Sequence, residues 1–297
     1  MAFVGPVGVG AIGKRSNICE ARKEWRKDAG RVSMGLFDMF GNKEAAEWSL
    51  DAGYASYPMV GKTRGEDAFF IEGNALGVFD GVNSAVPEGM DAKAFSQFLA
   101  VNTSAGVRDL GIEKINIALN DAAELNPEQG ASTACVVAMD RLGRLVGINL
   151  GDSGALVARG DKAAYKSPEQ SHFFNCPYQL GSASEDTVAM GKNFRFQLQE
   201  GDWVILASDG LWDNVYPAEI VRLIKETVET SGDDPNSVAN TLAQTAIEKS
   251  ALEAYTSPFA AEAKNNNVDH RGGKLDDVTV IASYVTRDAP QYSIVSA

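Results

Sequence analysis

The sequence predicts an α+β fold in which antiparallel β-sheets are covered by helices. Strand-like segments occur in groups joined by short turns, and helix-like segments occur in pairs between those groups. This grouping differs from the regular βαβ alternation that is typical of parallel sheets. The chain has 297 residues, of which 44% are hydrophobic, so it has enough apolar material for one large domain.

The predicted elements follow from apolar periodicity and turn residues. Strands are expected over 67–71, 75–79, 132–139, 145–150, 155–158, 194–198, 203–207 and 278–285. Helices are expected over about 91–106, 113–125, 217–229 and 235–255.

Three details of this assignment can be checked against a structure. The three middle strands are expected to form one antiparallel meander, and the strands on either side of Gly201 a hairpin. Asp91 is the expected N-cap of the first helix, which we expect to stop at Gly106. The span from Gly160 to Asn193 has no clear periodicity and is long for a plain loop, so we expect it to cover a functional site.

The two ends of the chain are expected to lie outside the folded domain, which we place at 48–286. A leader over 1–47 begins with apolar and glycine residues and continues with basic ones. Basic residues are typical of a transit sequence, but the acids Glu20, Glu24 and Asp28 argue against one, so a targeting segment and a disordered leader stay open. Residues 287–297 are expected to form a tail.

Charge and cysteine content limit the possible partners. The net charge of −13 argues against nucleic-acid binding, because a phosphate backbone requires a basic surface. No segment has the length of a membrane span, and we expect a monomer. Three widely spaced cysteines without a zinc or redox spacing indicate an intracellular location, either cytoplasmic or organellar (mitochondrial or plastid).

Four aspartates each stand at one end of an apolar run: Asp80, Asp152 and Asp209 after the run, and Asp276 before it. Glu66 stands just before a further apolar run. Each segment alone is more simply explained as a turn. Four together, in a chain with two histidines, favour a carboxylate site for Mg²⁺ or Mn²⁺, because these hard cations prefer oxygen ligands.

The chain resembles the metal-dependent serine/threonine protein phosphatases of type 2C over residues 50–285. The motifs that carry the resemblance occur in the family's order and spacing. They are Gly65-Glu66-Asp67-Ala68, Phe79-Asp80-Gly81-Val82, Gly130-Ala131-Ser132-Thr133-Ala134, Asn149-Leu150-Gly151-Asp152-Ser153-Gly154, Ala207-Ser208-Asp209-Gly210-Leu211-Trp212-Asp213 and Asp276-Asp277-Val278-Thr279-Val280. Segments such as Arg271-Gly272-Gly273-Lys274 resemble the compact branch that includes mitochondrial phosphatases. The implied fold is a four-layer αββα sandwich, with two antiparallel sheets flanked by helix pairs.

The resemblance also implies a set of metal ligands. Asp80 matches the carboxylate that bridges two metal ions, and the Gly81 carbonyl oxygen is a further ligand. Asp209 and Asp276 match the carboxylates that complete the shell of the first ion. Glu66 matches the acid that holds the second ion, mostly through water.

Three further positions are implied less directly. Asp152 matches the position associated with a third, weaker metal ion. The family's phosphate-binding arginine lies four residues before the motif glutamate, where this chain has Lys62. Arg64 is close enough to take that role, so the two residues stay alternatives for holding phosphate.

The chain departs from the family at Val82, where typical members have a histidine that protonates the leaving group. His172 and His270 are the only histidines, and neither occupies that motif. We expect His172 to have a structural or neutral role. The similar branch shares the substitution, so Val82 does not by itself indicate lost activity.

The implied function is hydrolysis of phosphoserine and phosphothreonine in phosphoprotein substrates by a metal-activated water at a binuclear Mg²⁺ or Mn²⁺ centre. The alternative is a non-catalytic phosphatase-like domain that binds phosphoproteins. Loss of a bridging or terminal metal aspartate would indicate that alternative, and none is lost, since Glu66, Asp80, Asp209 and Asp276 are all present. The serine-protease-like segment Gly151-Asp152-Ser153-Gly154 continues into a strand and lacks an upstream histidine motif, so it does not indicate a protease.

Overall fold

A computed structural model of the protein describes residues 47–82 and 91–287. The strands are β1 (Trp48–Tyr57), β2 (Ala68–Glu72), β3 (Ala75–Phe79), β4 (Ala131–Ser132), β5 (Ala134–Met139), β6 (Arg144–Leu150), β7 (Gly154–Arg159), β8 (Lys162–Lys166), β9 (Ser171–Phe173), β10 (Cys176–Pro177), β11 (Leu180–Gly181), β12 (Lys192–Gln197), β13 (Trp203–Ala207) and β14 (Val278–Arg287). The helices are α1 (Ala92–Leu110), α2 (Ile115–Glu124), α3 (Asp209–Trp212), α4 (Pro217–Ser231), α5 (Pro235–Ser250) and α6 (Pro258–Asn265), with 3₁₀ turns at Ile112–Lys114 and Val188–Met190.

Two five-stranded antiparallel sheets form the centre of the fold. The first sheet has the strand order β1-β14-β13-β7-β8, and the second has the order β12-β6-β5-β3-β2. Side chains from both sheets, such as Leu76 and Leu206, pack together in one buried cluster. Helices α1 and α2 pack on the outer face of the second sheet, and α4 and α5 on that of the first. The expected αββα sandwich is therefore confirmed.

Strand β13 shows why the central strands are apolar throughout. Val204 and Leu206 face the other sheet, whereas Trp203, Ile205 and Ala207 face the helices. All five side chains are buried. A central strand of a four-layer sandwich has no solvated face, so its sequence is a continuous apolar run.

The expected meander and hairpin are both wrong. Strand β6 pairs with β5 in the second sheet, but the next strand, β7, pairs with β13 and β8 in the first. The chain therefore changes sheets at Gly151, where φ is +103°. Likewise β12 pairs with β6 and β13 pairs with β14, so the turn at Gly201 joins the two sheets. A short turn between apolar runs can connect either neighbouring strands or opposite sheets, and local sequence does not distinguish these cases.

The first helix is longer than expected. Asp91 is its N-cap, with Oδ1 accepting from the Ala94 N–H at 3.1 Å. The helix continues past Gly106 to Leu110 and is capped at Gly111, whose φ is +88°. A Cβ at Gly106 would lie 2.8 Å from the Ala118 Cβ, so this glycine allows α1 and α2 to approach closely. Glycine here serves helix packing rather than helix termination.

The predicted leader (1–47) and the predicted tail (287–297) lie outside the described residues, apart from Glu47 and Arg287. Strand β1, which begins at Trp48, was not predicted. Within the described ranges, no helix has the length and apolar character needed to cross a membrane.

Candidate metal centre

Three aspartates meet at one edge of the sandwich. Asp80 directly follows β3, Asp152 lies in the crossing from β6 to β7, and Asp209 is the first residue of α3 after β13. Each offers a carboxylate oxygen within 4.8 Å of the other two. Since β3 and β6 belong to one sheet and β13 to the other, the cluster exists only where the two sheets are docked.

The backbone N–H and the hydroxyl group of Thr133 fix the backbone of Asp80. The Thr133 N–H donates to the Asp80 carbonyl at 2.9 Å, and the Asp80 N–H donates to Thr133 Oγ1 at 3.3 Å. Thr133 Oγ1 also lies 2.7 Å from Ser153 Oγ, next to Asp152. Thr133 and Ser153 are buried, so these bonds hold two of the three aspartates in a fixed relationship.

Gly81 allows the motif glutamate to approach closely. A Cβ at Gly81 would lie 2.6 Å from the Glu66 carbonyl oxygen and 3.0 Å from that of Ala92. Only glycine fits between these backbone segments. Gly81 also forms an isolated bridge to Ser132, which anchors the turn that follows Asp80.

The turn that carries Asp209 is equally restricted. A Cβ at Gly210 would overlap the Asp277 carbonyl oxygen. The Trp212 Nε1–H donates to the Ala207 carbonyl at 2.9 Å and closes the turn from the other side. Asp209 is therefore held at a fixed point against the segment that contains Asp276 and Asp277.

A lysine ammonium group lies on the Asp276 side of the cluster. Lys274 Nζ is 2.7 Å from Asp213 Oδ2 and 3.3 Å from Asp276 Oδ2, and it also contacts Asp209 Oδ2. The Lys274 side chain is 17% exposed. Four charged groups thus form one partly buried network beside Asp80 and Asp152.

Lys62 and Arg64 have different surroundings. Lys62 Nζ lies 2.5 Å from Glu66 Oε2 and 3.8 Å from Asp277 Oδ2, on the side of the carboxylates. Arg64 instead forms a two-point contact with Asp91, at 3.0 Å to each carboxylate oxygen. Both members of that second pair are exposed. Of the two alternatives, Lys62 is therefore the one that lies with the predicted ligands.

The electrostatics of the cluster are those of crowded carboxylates. Burial, reinforced by the charge of Asp209, raises the pKa of Asp80 and of Asp152 well above 3.8. The same causes raise the pKa of Asp276 to about 6. Burial also opposes ionisation of Asp209, but the adjacent Lys274 ammonium outweighs it and lowers the Asp209 pKa.

The donor set fits a hard divalent cation. Asp152 Oδ1 and Asp209 Oδ1 are buried and have no hydrogen-bond partner among the described residues. An unpartnered buried carboxylate oxygen is costly unless a cation or water satisfies it. Carboxylates with a nearby backbone carbonyl are the ligands that Mg²⁺ and Mn²⁺ prefer.

The histidines and Val82 do not join the cluster. His172 Nε2 lies 2.9 Å from Asp186 Oδ2, and its ring stacks on Tyr178 with centroids 4.1 Å apart. His270 Nε2 lies 3.1 Å from the Gly273 carbonyl oxygen. The Val82 N–H donates to the carbonyl oxygen of Ala131 at 2.9 Å.

The long span between Gly160 and Asn193 contributes to a cavity beside Asp152. The cavity has a volume of about 490 Å³, and Lys166, Glu169, Ser171 and Phe173 are among its lining residues. Ser171 and Phe173 lie on one face of β9, and His172, between them, is not among the lining residues. That this span covers a functional site remains a prediction.

Sequence reasoning missed three charged residues of this region. Lys274, Asp213 and Asp277 all stand within motifs that carried the family resemblance, but none had an assigned role. The Asp277 carboxylate accepts from the backbone N–H groups of Met59 and Glu66. An available signal was the burial implied by an acid directly before an apolar strand, because a buried carboxylate requires partners.

Comparison with known proteins identifies the family of this chain. The family profile described as Protein phosphatase 2C matches residues 196–254, a range that includes Asp209. A protein phosphatase PTC7 homolog from Danio rerio is 36% identical over 245 residues, which are 76% of this chain and 82% of that protein. The chain belongs to the protein phosphatase 2C family.

Other family members match different shares of their own length. Probable protein phosphatase 2C 80 from Arabidopsis thaliana is 36% identical over 240 residues, 78% of this chain and 57% of that protein. Probable protein phosphatase 2C 55 from the same organism is 38% identical over 237 residues, 78% of this chain and 50% of that protein. The chain therefore spans about half the length of these two relatives.

Solved structures show the same fold. The X-ray structure of the photosystem II phosphatase PBCP superposes with a TM-score of 0.73 and 29% identity, covering 79% of this chain and 98% of that chain. The catalytic domain of the serine/threonine phosphatase PstP, solved in complex with two manganese ions, has a TM-score of 0.57 and 16% identity over 80% of this chain and 99% of that chain. At that identity the second likeness shows the fold alone.

Proposed function

We propose that this chain is a metal-dependent protein phosphatase that hydrolyses phosphoserine and phosphothreonine in phosphoproteins, with the activity located in residues 48–286. The observation that carries the proposal is the convergence of Asp80, Asp152 and Asp209 at the edge of the sandwich. A cluster of three acids would repel itself without a cation. An intracellular location is part of the same proposal.

The family resemblance supplies the proposed ligands, and the clustering of Asp80 with Asp209 supports the assignment. Asp80 would hold both ions, with the Gly81 carbonyl oxygen as a further ligand, and its carboxylate lies with those of Asp152 and Asp209. Asp209 and Asp276 hold the first ion from the other sheet. Glu66, whose backbone lies against Gly81, would hold the second ion. Divalent ions in such a site neutralise the phosphate and activate the attacking water.

The chain's own residues bind and orient the substrate. The Lys62 ammonium group supplies a fixed positive charge next to Glu66, where it can bind a phosphoryl oxygen. The short turns at Gly81 and Gly210 keep the carboxylates in place without rearrangement. No side chain is required to form a covalent phosphoenzyme, and Cys135 is fully buried within β5.

Hydrolysis of p-nitrophenyl phosphate and of a phosphothreonine peptide by the purified chain tests this proposal. We expect activity with Mg²⁺ or Mn²⁺ at about millimolar concentration, loss of activity after chelation, and recovery when the ion is restored. Full activity after exhaustive dialysis against chelator would contradict the metal mechanism. Binding of phosphoprotein without turnover, with metal present, would favour the non-catalytic alternative.

A further inference from the structure

The surroundings of Lys274 indicate more than a surface ion pair. Lys274 Nζ contacts three carboxylates, those of Asp209, Asp213 and Asp276. Its position lies in the same acidic cluster that we propose as the divalent-ion centre. The ammonium group is thus a positive charge that the chain itself supplies to that cluster.

Two hydrogen bonds to the Asn214 side chain fix the backbone of Lys274. The Lys274 N–H donates to Asn214 Oδ1 at 2.9 Å, and Asn214 Nδ2 donates to the Lys274 carbonyl at 2.9 Å. Asn214 is fully buried. The preceding Gly273 has no room for a Cβ beside the backbone of Lys249 and Ser250.

The side chain is restricted as well. Lys274 Nζ lies 5.1 Å from the ring centroid of Phe259, within the range of a cation–π contact. Its exposure of 17% leaves little freedom for other rotamers. A lysine with four rotatable bonds is usually mobile, so restriction at both ends indicates that the position of this charge is specified.

The two oxygens of Asp209 are used differently. Asp209 Oδ2 accepts from Lys274, whereas Asp209 Oδ1 is buried and has no hydrogen-bond partner within the described part of the chain. Asp213 Oδ2 also accepts from Lys274, at 2.7 Å. Lys274 therefore supplies a hydrogen-bond donor to Asp209 Oδ2 and Asp213 Oδ2, whereas Asp209 Oδ1 has none among the described residues.

We propose that Lys274 is a tethered cation which takes the place of a divalent ion between Asp209 and Asp213. The proposal rests on the proposed divalent-ion centre and specifies which of its carboxylates bind ions. In this proposal Asp80, Asp276 and Asp209 Oδ1 bind the divalent ions, whereas Asp213 binds the Lys274 ammonium group. An ammonium group satisfies carboxylates here without the dehydration that Mg²⁺ resists.

Mn²⁺ binding to the metal-free chain tests the proposal, measured by equilibrium dialysis and by the electron paramagnetic resonance signal of free Mn²⁺. Lys274→Met should bind about one more Mn²⁺ per chain than the wild type, because an acidic pocket loses its own cation. Lys274→Arg should bind the wild-type number. Unchanged stoichiometry and affinities in Lys274→Met would overturn the proposal.

Lys249→Met is the matched control. The Lys249 side chain is also 17% exposed, bonds to Glu219 at 2.8 Å, and lies over the ring of Tyr255 at 4.1 Å. It has the same chemistry as Lys274 but contacts none of the clustered aspartates. Its loss should leave the number of bound Mn²⁺ ions unchanged, and a gain there equal to that of Lys274→Met would overturn the proposal.

A second variant keeps the proposal testable if Lys274→Met does not fold. Asp213→Asn should leave the number of Mn²⁺ ions bound by the chain unchanged, because Asp213 serves the lysine. Loss of about one ion from Asp213→Asn would show that Asp213 is a metal ligand and would overturn the proposal. A wild-type chain that binds no Mn²⁺ at all would instead contradict the proposed function.

Discussion

The Asp277 carboxylate accepts a hydrogen bond from the backbone N–H of Glu66 at 2.6 Å, across 211 positions of sequence. Its other oxygen accepts from the Met59 N–H at 2.7 Å. Asp277 is 4% exposed. It thereby holds the segment that carries Lys62 and Glu66 against the start of β14, although it is not itself a proposed metal ligand.

Replacing Asp277 by alanine should impair both folding and activity. Two buried backbone N–H groups would lose their acceptor, which we expect to lower the free energy of unfolding by about 2–4 kcal/mol. Misplacement of Lys62 and Glu66 should lower kcat/KM by about tenfold or more. Urea unfolding and phosphopeptide kinetics measure the two effects.

Asp140→Ala is the matched control for that variant. The Asp140 carboxylate also accepts from two backbone N–H groups, those of Leu142 and Arg144, in the turn between β5 and β6. It should lower stability without lowering activity per folded molecule. If both variants lost activity equally, the positioning role of Asp277 would be wrong.

The proposed ligands should differ in importance. Asp80→Asn should lower kcat by at least about a hundredfold, because Asp80 is shared between ions. Asp209→Asn and Asp276→Asn should be nearly as damaging, and Asp152→Asn milder at saturating Mn²⁺. Turnover near that of the wild type in Asp80→Asn at high Mn²⁺ would count against the assignment. Metal titrations of kcat measure the differences.

Substitutions of Lys62 and of Arg64 should have clearly different effects on kcat/KM. Lys62→Met should lower kcat/KM by about tenfold to a hundredfold, since it removes a positive charge beside Glu66. Arg64→Met should change kcat/KM by less than about threefold, because exposed pairs such as that with Asp91 contribute little. A larger loss from Arg64→Met would transfer the phosphate-binding role to that residue.

The sequence predicted the layers of this fold better than the connections between them. Apolar runs identified β3, β6 and β13, because central strands of a sandwich are buried on both faces. Their assignment to separate sheets depends on long-range packing, which local periodicity does not encode. β1 was missed for a different reason, because exposed and buried positions are mixed along its length.

The candidate site was predictable to a similar extent. The aspartates that follow strands were found because strand ends share an edge. Asp277 and Lys274 were not assigned roles, because their partners lie far away in sequence, such as Met59 for Asp277 and Asp209 for Lys274. Motif spacing indicates which residues converge, but not which hold the others in place.

Asp67 should make the stability of the metal-free protein depend on pH. Burial raises the pKa of Asp67 to about 7, against the hydrogen bond that it accepts from Ser208. The folded state therefore binds more protons than the unfolded state between about pH 4 and pH 7, and stability falls as pH rises through that range. Asp67→Asn, which stays neutral, should gain stability relative to the wild type as pH rises from about 4 to 7, so its advantage should be larger near pH 8 than near pH 5.

Thermal unfolding in chelator at the two pH values measures that difference. Carboxylates that do not interact with Asp67 affect both proteins alike, so the pH-dependent difference reports Asp67 together with its charged neighbours Asp209 and Asp277. An equal change in Tm at both pH values would show that Asp67 is ionised throughout and would contradict the raised pKa.

His172 should be dispensable for chemistry. Its ring bonds to Asp186 and stacks on Tyr178, on the face of β9 opposite the cavity. His172→Ala should therefore keep more than about half of the activity on p-nitrophenyl phosphate and on phosphoserine peptides. An aryl oxide leaves without a proton, but a serine alkoxide requires one. Loss of activity on phosphoserine peptides alone, with p-nitrophenyl phosphate hydrolysis intact, would identify His172 as the general acid.

The pairing of β1 with β14 joins the first and last described strands of the domain. Among the described strands β1 pairs with β14 alone, and β13 pairs with β7 and β14, so during synthesis on the ribosome β1 has no partner strand and β13 has one of its two until β14 has emerged. Asp276 and Asp277 directly precede β14. Docking of β14 therefore also positions the proposed ligand Asp276 and places Asp277 where it accepts from the Glu66 N–H. We therefore expect a nascent or truncated chain that ends before Asp276 to lack phosphatase activity, because both its first sheet and the proposed ion site are incomplete.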